Sequence, residues 1–222
     1  APIITSGDTA IVIDENSGTG QVIYTATADD SADVSDGLTF SLADEDLGFS
    51  IDAISGEVTT NANLDANFEG SPSQSFTVVA TDAAGNVSDA QLVTLDINNL
   101  DEVAPIITSG DTAIVIDENS GAGQVIYTAT ADDSADISGG ITFSLSEDSD
   151  EALSIDLTTG AVTLSDDPNF EGQNQYTFSI IATDAAGNAS DAQLVTLDIN
   201  NLDDTAPEIT SDATATAINE NS

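Results

Sequence analysis

The chain has 222 residues, of which 41 are Asp or Glu, and it contains no Lys, Arg, His or Cys, so its formal net charge at pH 7 is −41. This composition excludes salt bridges between side chains, disulfides, and nucleic acid or anionic membrane surfaces as partners, since both of these bind through basic patches. No apolar run approaches the roughly 20 residues of a membrane span, and the nucleophile–base pairs of common enzymes are missing, so neither membrane insertion nor an enzyme is expected.

Long internal repeats dominate the sequence. Residues 1–6 recur at 104–109 and, with one substitution, at 206–211, while residues 6–18 are identical to residues 109–121. A period near 100 residues is that of whole domains in tandem. We therefore predict a first module at 1–102, a second at 103–205 and the start of a truncated third at 206–222. We expect the sequence to be an excerpt of a longer chain.

Within each module apolar and polar residues alternate with a period of two, which is typical of half-buried strands. With 40% hydrophobic residues, the chain can fill cores, so we reject disorder. Strands are predicted in the first module at 11–13, 22–26, 38–42, 49–51, 57–59, 76–81 and 93–97, separated by turn residues. About seven short strands without helical segments predict an all-β fold of tandem seven-stranded Greek-key β-sandwiches. An eight-stranded jelly roll would be crowded.

Acidic and amide residues recur at equivalent positions of the two modules, and they carry any chemistry. Calcium takes six to eight oxygen ligands from carboxylates, amides, backbone carbonyls and water. For Glu15, Glu69, Asp101 and their repeat partners we favour ligation, because no cation in the chain can pair with them. Asp and Asn at strand ends also commonly accept hydrogen bonds from their own backbone, and for Asn16, Asn67, Asp65 and Asp96 we favour that interpretation.

Several motifs, taken in order, resemble the cadherin family, and specifically the cadherin-like repeats of giant bacterial surface adhesins (RTX-adhesin extender modules). The linker at 99–105 reads Asn-Leu-Asp-Glu-Val-Ala-Pro, a Glu-Asn pair follows the first strand at 15–16, and Leu-Asp-Ala-Asn-Phe-Glu stands at 64–69. Ala-Thr-Asp ends the penultimate predicted strand at 80–82 and 182–184. The linker departs from the family pattern at Asn99, where Asp is usual, and at Val103, which offers no side-chain oxygen.

The resemblance implies a cadherin/immunoglobulin-like sandwich with Ca²⁺ bound where consecutive modules meet. The implied ligands of the first junction are Glu15, Asn67, Glu69, Asn99, Asp101, Glu102, Asp132, Asp133 and Asp184. Those of the second are Glu118, Asn169, Glu171, Asn201, Asp203 and Asp204. Asp29, Asp30 and Asp82 would face a preceding module, and the register of the two Asp-Asp pairs at 29–30 and 132–133 stays open.

For function, the resemblance implies a calcium-rigidified extender of a bacterial cell-surface adhesin, extracellular and acting as a monomeric rod. Neighbouring repeats of the same chain, joined through calcium junctions, would be its partners, and it would project a distal ligand-binding region in adhesion or biofilm formation. The alternative is a module that itself binds carbohydrate or mediates homophilic cell–cell adhesion. A β-sandwich whose acidity only confers solubility in high salt is the third possibility.

Overall fold

The fold is known from a computed structural model that describes residues 1–32, 37–43, 48–137, 139–211, 213–214, 216–218 and 220. The chain divides into two compact units, residues 1–101 and 102–222, and each is described by itself. No helix of the described chain has the length and apolarity needed to cross a membrane. The predicted boundaries at 102/103 and 205/206 stay predictions.

The described residues of unit 1 form nine strands in three sheets. They are β1 (Ile3–Ile4), β2 (Ile13–Asp14), β3 (Val22–Thr25), β4 (Ala28–Asp29), β5 (Thr39–Leu42), β6 (Phe49–Ile51), β7 (Glu57–Thr60), β8 (Ser73–Thr81) and β9 (Gln91–Asn98). The strand orders are β2-β9-β8-β5, β3-β7-β6 and β1-β4. The strands pair antiparallel with their neighbours, except that β2 runs parallel to β9.

Unit 2 repeats this arrangement strand for strand. Its elements are β10 (Ile106–Ile107), β11 (Ile116–Asp117), β12 (Gln124–Thr128), β13 (Ala131–Asp132), β14 (Thr142–Leu145), β15 (Leu153–Ile155), β16 (Ala161–Leu164), β17 (Gln175–Thr183) and β18 (Gln193–Asn200). The orders are β11-β18-β17-β14, β12-β16-β15 and β10-β13. The prediction of an all-β sandwich fold is therefore confirmed.

The seven predicted strands of the first module all have a counterpart, but two of them depart from strict alternation. Ile11 is 65% exposed, and only Ile13 of the first predicted strand enters the core. In β3 a register shift between Val22 and Tyr24 interrupts the pairing with β7, so Ile23 and Tyr24 are both buried. The two-residue strands β1 and β4 were missed, because two residues are too few to show a period.

Each unit has its own apolar core with an aromatic residue at the centre. In unit 1 the ring of Phe76 on β8 lies 5.7 Å from Tyr24, edge to face, and 4.8 Å from Phe49. In unit 2 Phe178 on β17 takes the same place, 5.8 Å from Tyr127. Such pairs stabilise by about 0.5–1.5 kcal/mol beyond the burial of their area. These rings help to fix how the four-stranded and three-stranded sheets pack against each other.

After Asn200 the described residues form no strand, and all of them are exposed. They contribute nothing to the core of unit 2. That residues 206–222 begin a third module stays a prediction.

A tight turn before β7 depends on a glycine. Gly56 has φ +73°, and a Cβ at this position would lie 2.5 Å from the carbonyl oxygen of Ala26. A hydrogen bond holds the two backbones together, since the Ala26 amide donates to the Gly56 oxygen at 2.8 Å. The backbone of the turn and that of the segment after β3 are therefore too close for any side chain.

Gly56→Ala should lower the free energy of unfolding of unit 1 by about 3 kcal/mol, from the left-handed backbone and the clash together. Gly18→Ala is the matched control, because Gly18 also has positive φ (+81°), but a Cβ there would meet no heavy atom within 4 Å. The control should cost only about 1 kcal/mol. Urea titrations followed by circular dichroism at fixed calcium would measure both, and equal losses would contradict the close approach.

Candidate metal centre

In unit 2 the parallel pairing of β11 with β18 places Glu118 at one end of the sandwich. Asp117 lies opposite Asn200, and the next amide, that of Glu118, donates to the Asn200 oxygen at 3.1 Å. The Glu118 side chain is buried, at 1% exposure. Its Oε1 accepts a hydrogen bond from the Leu202 amide at 2.6 Å, and its Oε2 accepts one from the Phe170 amide at 3.0 Å. The carboxylate is thus held from both sides by backbone.

Two further carboxylates meet Glu118 at this end of unit 2. Carboxylate oxygens of Glu118, Glu171 and Asp204 all lie within 4.8 Å of one another, and the last two residues are exposed. Asn119 supports the group, since its side-chain amide donates to Oδ2 of Asp204 at 2.8 Å. Its backbone has φ +58°, and its amide donates to the Pro168 oxygen at 2.8 Å. Backbone and side chain of Asn119 therefore link the 168–171 turn to the segment after β18.

The charges in this cluster act on the titration of Glu171. A hydrogen bond from its own backbone amide works to lower the pKa of Glu171. A hydrogen bond with the Glu118 side chain, desolvation and the negative charges of Glu118 and Asp204 outweigh it, so the pKa is raised above its ordinary value. The ionised form of Glu171 is therefore disfavoured in the folded protein as long as no cation is bound.

Unit 1 contains the same buried glutamate. Glu15 is 1% exposed and accepts hydrogen bonds from the amides of Leu100 at 2.7 Å and Phe68 at 2.9 Å. These two bonds hold the pKa of Glu15 below its ordinary value, although burial works against them. A carboxylate oxygen of Glu69 lies within 4.8 Å of Glu15. Asn16 has φ +55° and donates its amide to the Ala66 oxygen at 3.0 Å.

A second carboxylate pair forms elsewhere in unit 2. Asp133 and Asp184 are buried, at 8% and 5% exposure, and their carboxylate oxygens lie within 4.8 Å of each other. Burial raises the pKa of Asp184, but hydrogen bonds from the side chain and backbone of Asn188 outweigh it, and the pKa is lowered overall. In unit 1, Asp30 is equally buried, and Asp82 is half-buried, with its pKa lowered by the side chain and amide of Asn86.

The other predicted ligands lie at the ends of β4 and β13, in turns, or in the segments after the last strands. Asp29 and Asp132 each accept the amide two residues ahead, at 2.9 and 3.1 Å, and the side-chain oxygens of Asn67 and Asn169 accept the amide three residues ahead, at 2.5 and 2.9 Å. Asn99 and Asp101 are half-buried after β9. Glu102, Asn201, Asp203 and Asp204 are exposed. Ligation by all of these residues stays a prediction.

The chemistry of the Glu118–Glu171–Asp204 cluster is that of a hard-cation site. All its donors are oxygens, and calcium prefers several carboxylates completed by carbonyls and water. The sequence pattern identified the three carboxylates but missed the supporting groups, namely the amides of Leu202 and Phe170 and the side chain of Asn119. Only the Glu-Asn pair repeated in both modules could have indicated Asn119.

Comparison with known proteins agrees with this architecture. Residues 112–200 match the cadherin domain. The chain is 27% identical over 192 residues to human Protocadherin-23 and 31% identical over 213 residues to Cadherin-87A of Drosophila melanogaster. These matches cover 83% and 93% of this chain, but the chain spans only 6% and 11% of the length of those relatives.

Solved structures show the same fold. The crystal structure of human Protocadherin-24 EC1-2 matches with a TM-score of 0.66 at 17% identity, over 90% of this chain and 98% of that one. Mouse Cadherin-23 EC22-24 matches with a TM-score of 0.59 at 21% identity, over 90% and 65%. The chain is therefore similar to cadherin domains in the sequence of residues 112–200 and in its fold.

Proposed function

We propose that this chain is a pair of calcium-binding cadherin-like modules that serves as an extracellular spacer in a bacterial cell-surface adhesin. The observation that supports this most directly is the Glu118–Glu171–Asp204 cluster, in which three carboxylates lie within 4.8 Å of one another. The chain has no Lys, Arg or His that could neutralise them. An ion from the medium is the remaining source of positive charge.

Calcium would act on charge and on backbone at the same time. It would neutralise the cluster and tie the 168–171 turn to the segment after β18, because Glu118 already bonds to the backbone of both. Extracellular calcium-binding modules have dissociation constants of about 10⁻⁴–10⁻³ M. Calcium at about 1 mM outside a cell would therefore occupy about half to nine-tenths of such sites, and binding would stiffen the segment that leads out of the module.

The near-identity of the two modules favours a spacer over a recognition domain. Copies of one unit suit a mechanical task that depends on length. A carbohydrate-binding site, by contrast, is commonly built on exposed aromatic side chains. The chain has no Trp and only three Tyr, and Tyr24, Tyr127 and Tyr176 are all buried. The tyrosines thus serve the cores.

Homophilic adhesion is the second candidate, and one observation favours it. Both units expose the same apolar residues on or beside β3 or β12. They are Ile11, Val12 and Val22 in unit 1 and Ile114, Val115 and Val125 in unit 2. A structural relative at 19% identity is described as the Protocadherin gammaB7 EC3-6 cis-dimer. Sedimentation equilibrium in calcium separates the candidates, since a spacer stays monomeric at all concentrations and a homophilic module does not. A glycan array tests carbohydrate binding.

Glu171→Gln should change calcium affinity and metal-free stability in opposite directions. The substitution removes a ligand charge, so the calcium dissociation constant of unit 2 should rise about tenfold or more. Because the folded protein raises the pKa of Glu171, ionised Glu171 opposes folding at pH 7, and the calcium-free variant should melt at a higher temperature than the parent. Calorimetric titration and thermal melts would measure both.

Glu147→Gln is the matched control for this experiment, because it makes the same chemical change at an exposed residue outside the cluster. It should leave affinity unchanged. If Glu171→Gln binds calcium as tightly as the control does, the cluster is not the calcium site.

Calcium should also stabilise and stiffen the unmodified chain. At a calcium concentration about 100 times the dissociation constant, binding to the folded state contributes about 2.7 kcal/mol per site. The melting temperature should rise accordingly, and small-angle scattering should show a narrower range of maximum dimensions than in chelator. Identical melting and scattering curves with calcium and with chelator would refute the proposed spacer mechanism.

A further inference from the structure

The loop after β17 folds around the carboxylate of Asp184. Oδ1 of Asp184 accepts hydrogen bonds from the amides of Gly187 at 2.7 Å and Asn188 at 2.8 Å, and Oδ2 accepts one from the side-chain amide of Asn188 at 2.9 Å. In return, the Asp184 amide donates to the Asn188 oxygen at 3.1 Å. Asp184 and Asn188 thus hold each other through backbone and side chain, an arrangement that we call the Asp–Asn clasp.

Unit 1 contains the same clasp. Oδ1 of Asp82 accepts the amides of Ala84 and Asn86 at 2.9 and 2.8 Å, and Oδ2 accepts the side-chain amide of Asn86 at 2.7 Å. The Asp82 amide donates to the Asn86 oxygen at 3.1 Å. The repetition shows that the geometry follows from the shared Asp-Ala-Ala-Gly-Asn sequence.

The clasp leaves a specific part of the Asp184 carboxylate available. An ionised carboxylate offers about four acceptor positions on its two oxygens. The two amides occupy Oδ1, and the Asn188 side chain takes one position on Oδ2, so the remaining acceptor position is on Oδ2. The buried carboxylate of Asp133 lies within 4.8 Å of Asp184, and no side-chain cation exists in the chain to separate the two charges.

The Asn188 side chain lies in a sequence that fits a glycosylation motif, and its amide is engaged within the loop. Residues 188–190 read Asn-Ala-Ser and fit the N-glycosylation pattern, but the Asn188 amide nitrogen donates to Asp184. The Ser190 hydroxyl accepts the Ala182 amide at 3.0 Å and donates to the Asp191 oxygen at 2.9 Å. The polar groups of this motif therefore serve the loop and its carboxylate.

We propose that Asn188 is a positioning residue for calcium: it fixes the orientation of the Asp184 carboxylate so that Oδ2 faces an ion shared with Asp133. This inference rests on the proposed calcium-binding function. Outer hydrogen bonds to a ligating carboxylate typically alter metal affinity by about 10–100-fold. Without the side-chain donor, only the two backbone amides on Oδ1 hold the carboxylate, and calcium binding must fix the position of Oδ2.

The test is a calcium chloride titration of the metal-free chain, followed by amide NMR. The amide signals of Gly139 and Gly187 report on the site. The Gly139 amide donates to Oδ2 of Asp133 at 3.4 Å, and the Gly187 amide donates to Oδ1 of Asp184. Asn188→Ala should raise the calcium dissociation constant at these reporters about tenfold. Asn86→Ala is the matched control, because it removes the same bond from the clasp of unit 1, and it should leave the constant unchanged.

The possible outcomes distinguish the positioning role of Asn188 from the proposed calcium-binding function. An unchanged constant in Asn188→Ala, while the parent chain binds, overturns the positioning role and leaves the proposed function standing. Equal weakening in Asn188→Ala and Asn86→Ala also overturns it, because the effect then follows general loop stability. Absence of calcium shifts in the parent chain overturns the proposed function and this inference with it. Should Asn188→Ala fail to fold, Asn188→Ser, whose hydroxyl is too short to replace the amide, takes its place with the same expected loss.

Discussion

Every close approach between carboxylates in this chain must be compensated without a basic side chain. The 41 acidic residues have no Lys, Arg or His to pair with, so the available compensation is a backbone N–H, a side-chain amide or hydroxyl, or an ion from the medium. Hydrogen bonds from amides to an ionised carboxylate stabilise the charge. Such bonds hold the buried carboxylates of Glu15, Glu118 and Asp184.

Two kinds of carboxylate differ in how this constraint is met. Glu15 and Asp184 receive several amide hydrogen bonds, their pKa values are lowered, and they belong to the framework even without a cation. Glu171 is exposed, its neighbours are carboxylates, and its pKa is raised. In carboxylates of the first kind, hydrogen bonds stabilise the negative charge. In Glu171, neighbouring negative charges and desolvation outweigh such stabilisation.

Much of the fold followed from the sequence, for a physical reason. Strands such as β8 and β9 are long, and one face of each is fully buried, so the period of two is visible at Phe76, Val78 and Ala80. The same reasoning failed where a strand is short or irregular. The bulge in β3 buries two consecutive residues, Ile23 and Tyr24, and β1 and β4 are defined by pairing between distant segments, which no local pattern encodes. The candidate site was predictable in its carboxylates but not in the groups that support them. The amides that donate to Glu118 belong to the apolar residues Leu202 and Phe170. Because every residue except proline carries a backbone amide, no residue type in the sequence marks such a donor.

The position of the supports implies that an ion bound as proposed would also act on stability. The amides that bond to Glu118 come from the 168–171 turn and from the segment after β18. The described residues form no strand pairing between these two parts of unit 2. A cation bound to Glu118 would add an ionic link between the same two parts, since Glu171 lies in the turn and Asp204 in the segment. Ion binding would therefore act on the exit of the chain from the sandwich and leave the apolar core around Phe178 unchanged. The core gives the module its fold, and in the proposed mechanism the carboxylates at its end would control the order of the segment that follows.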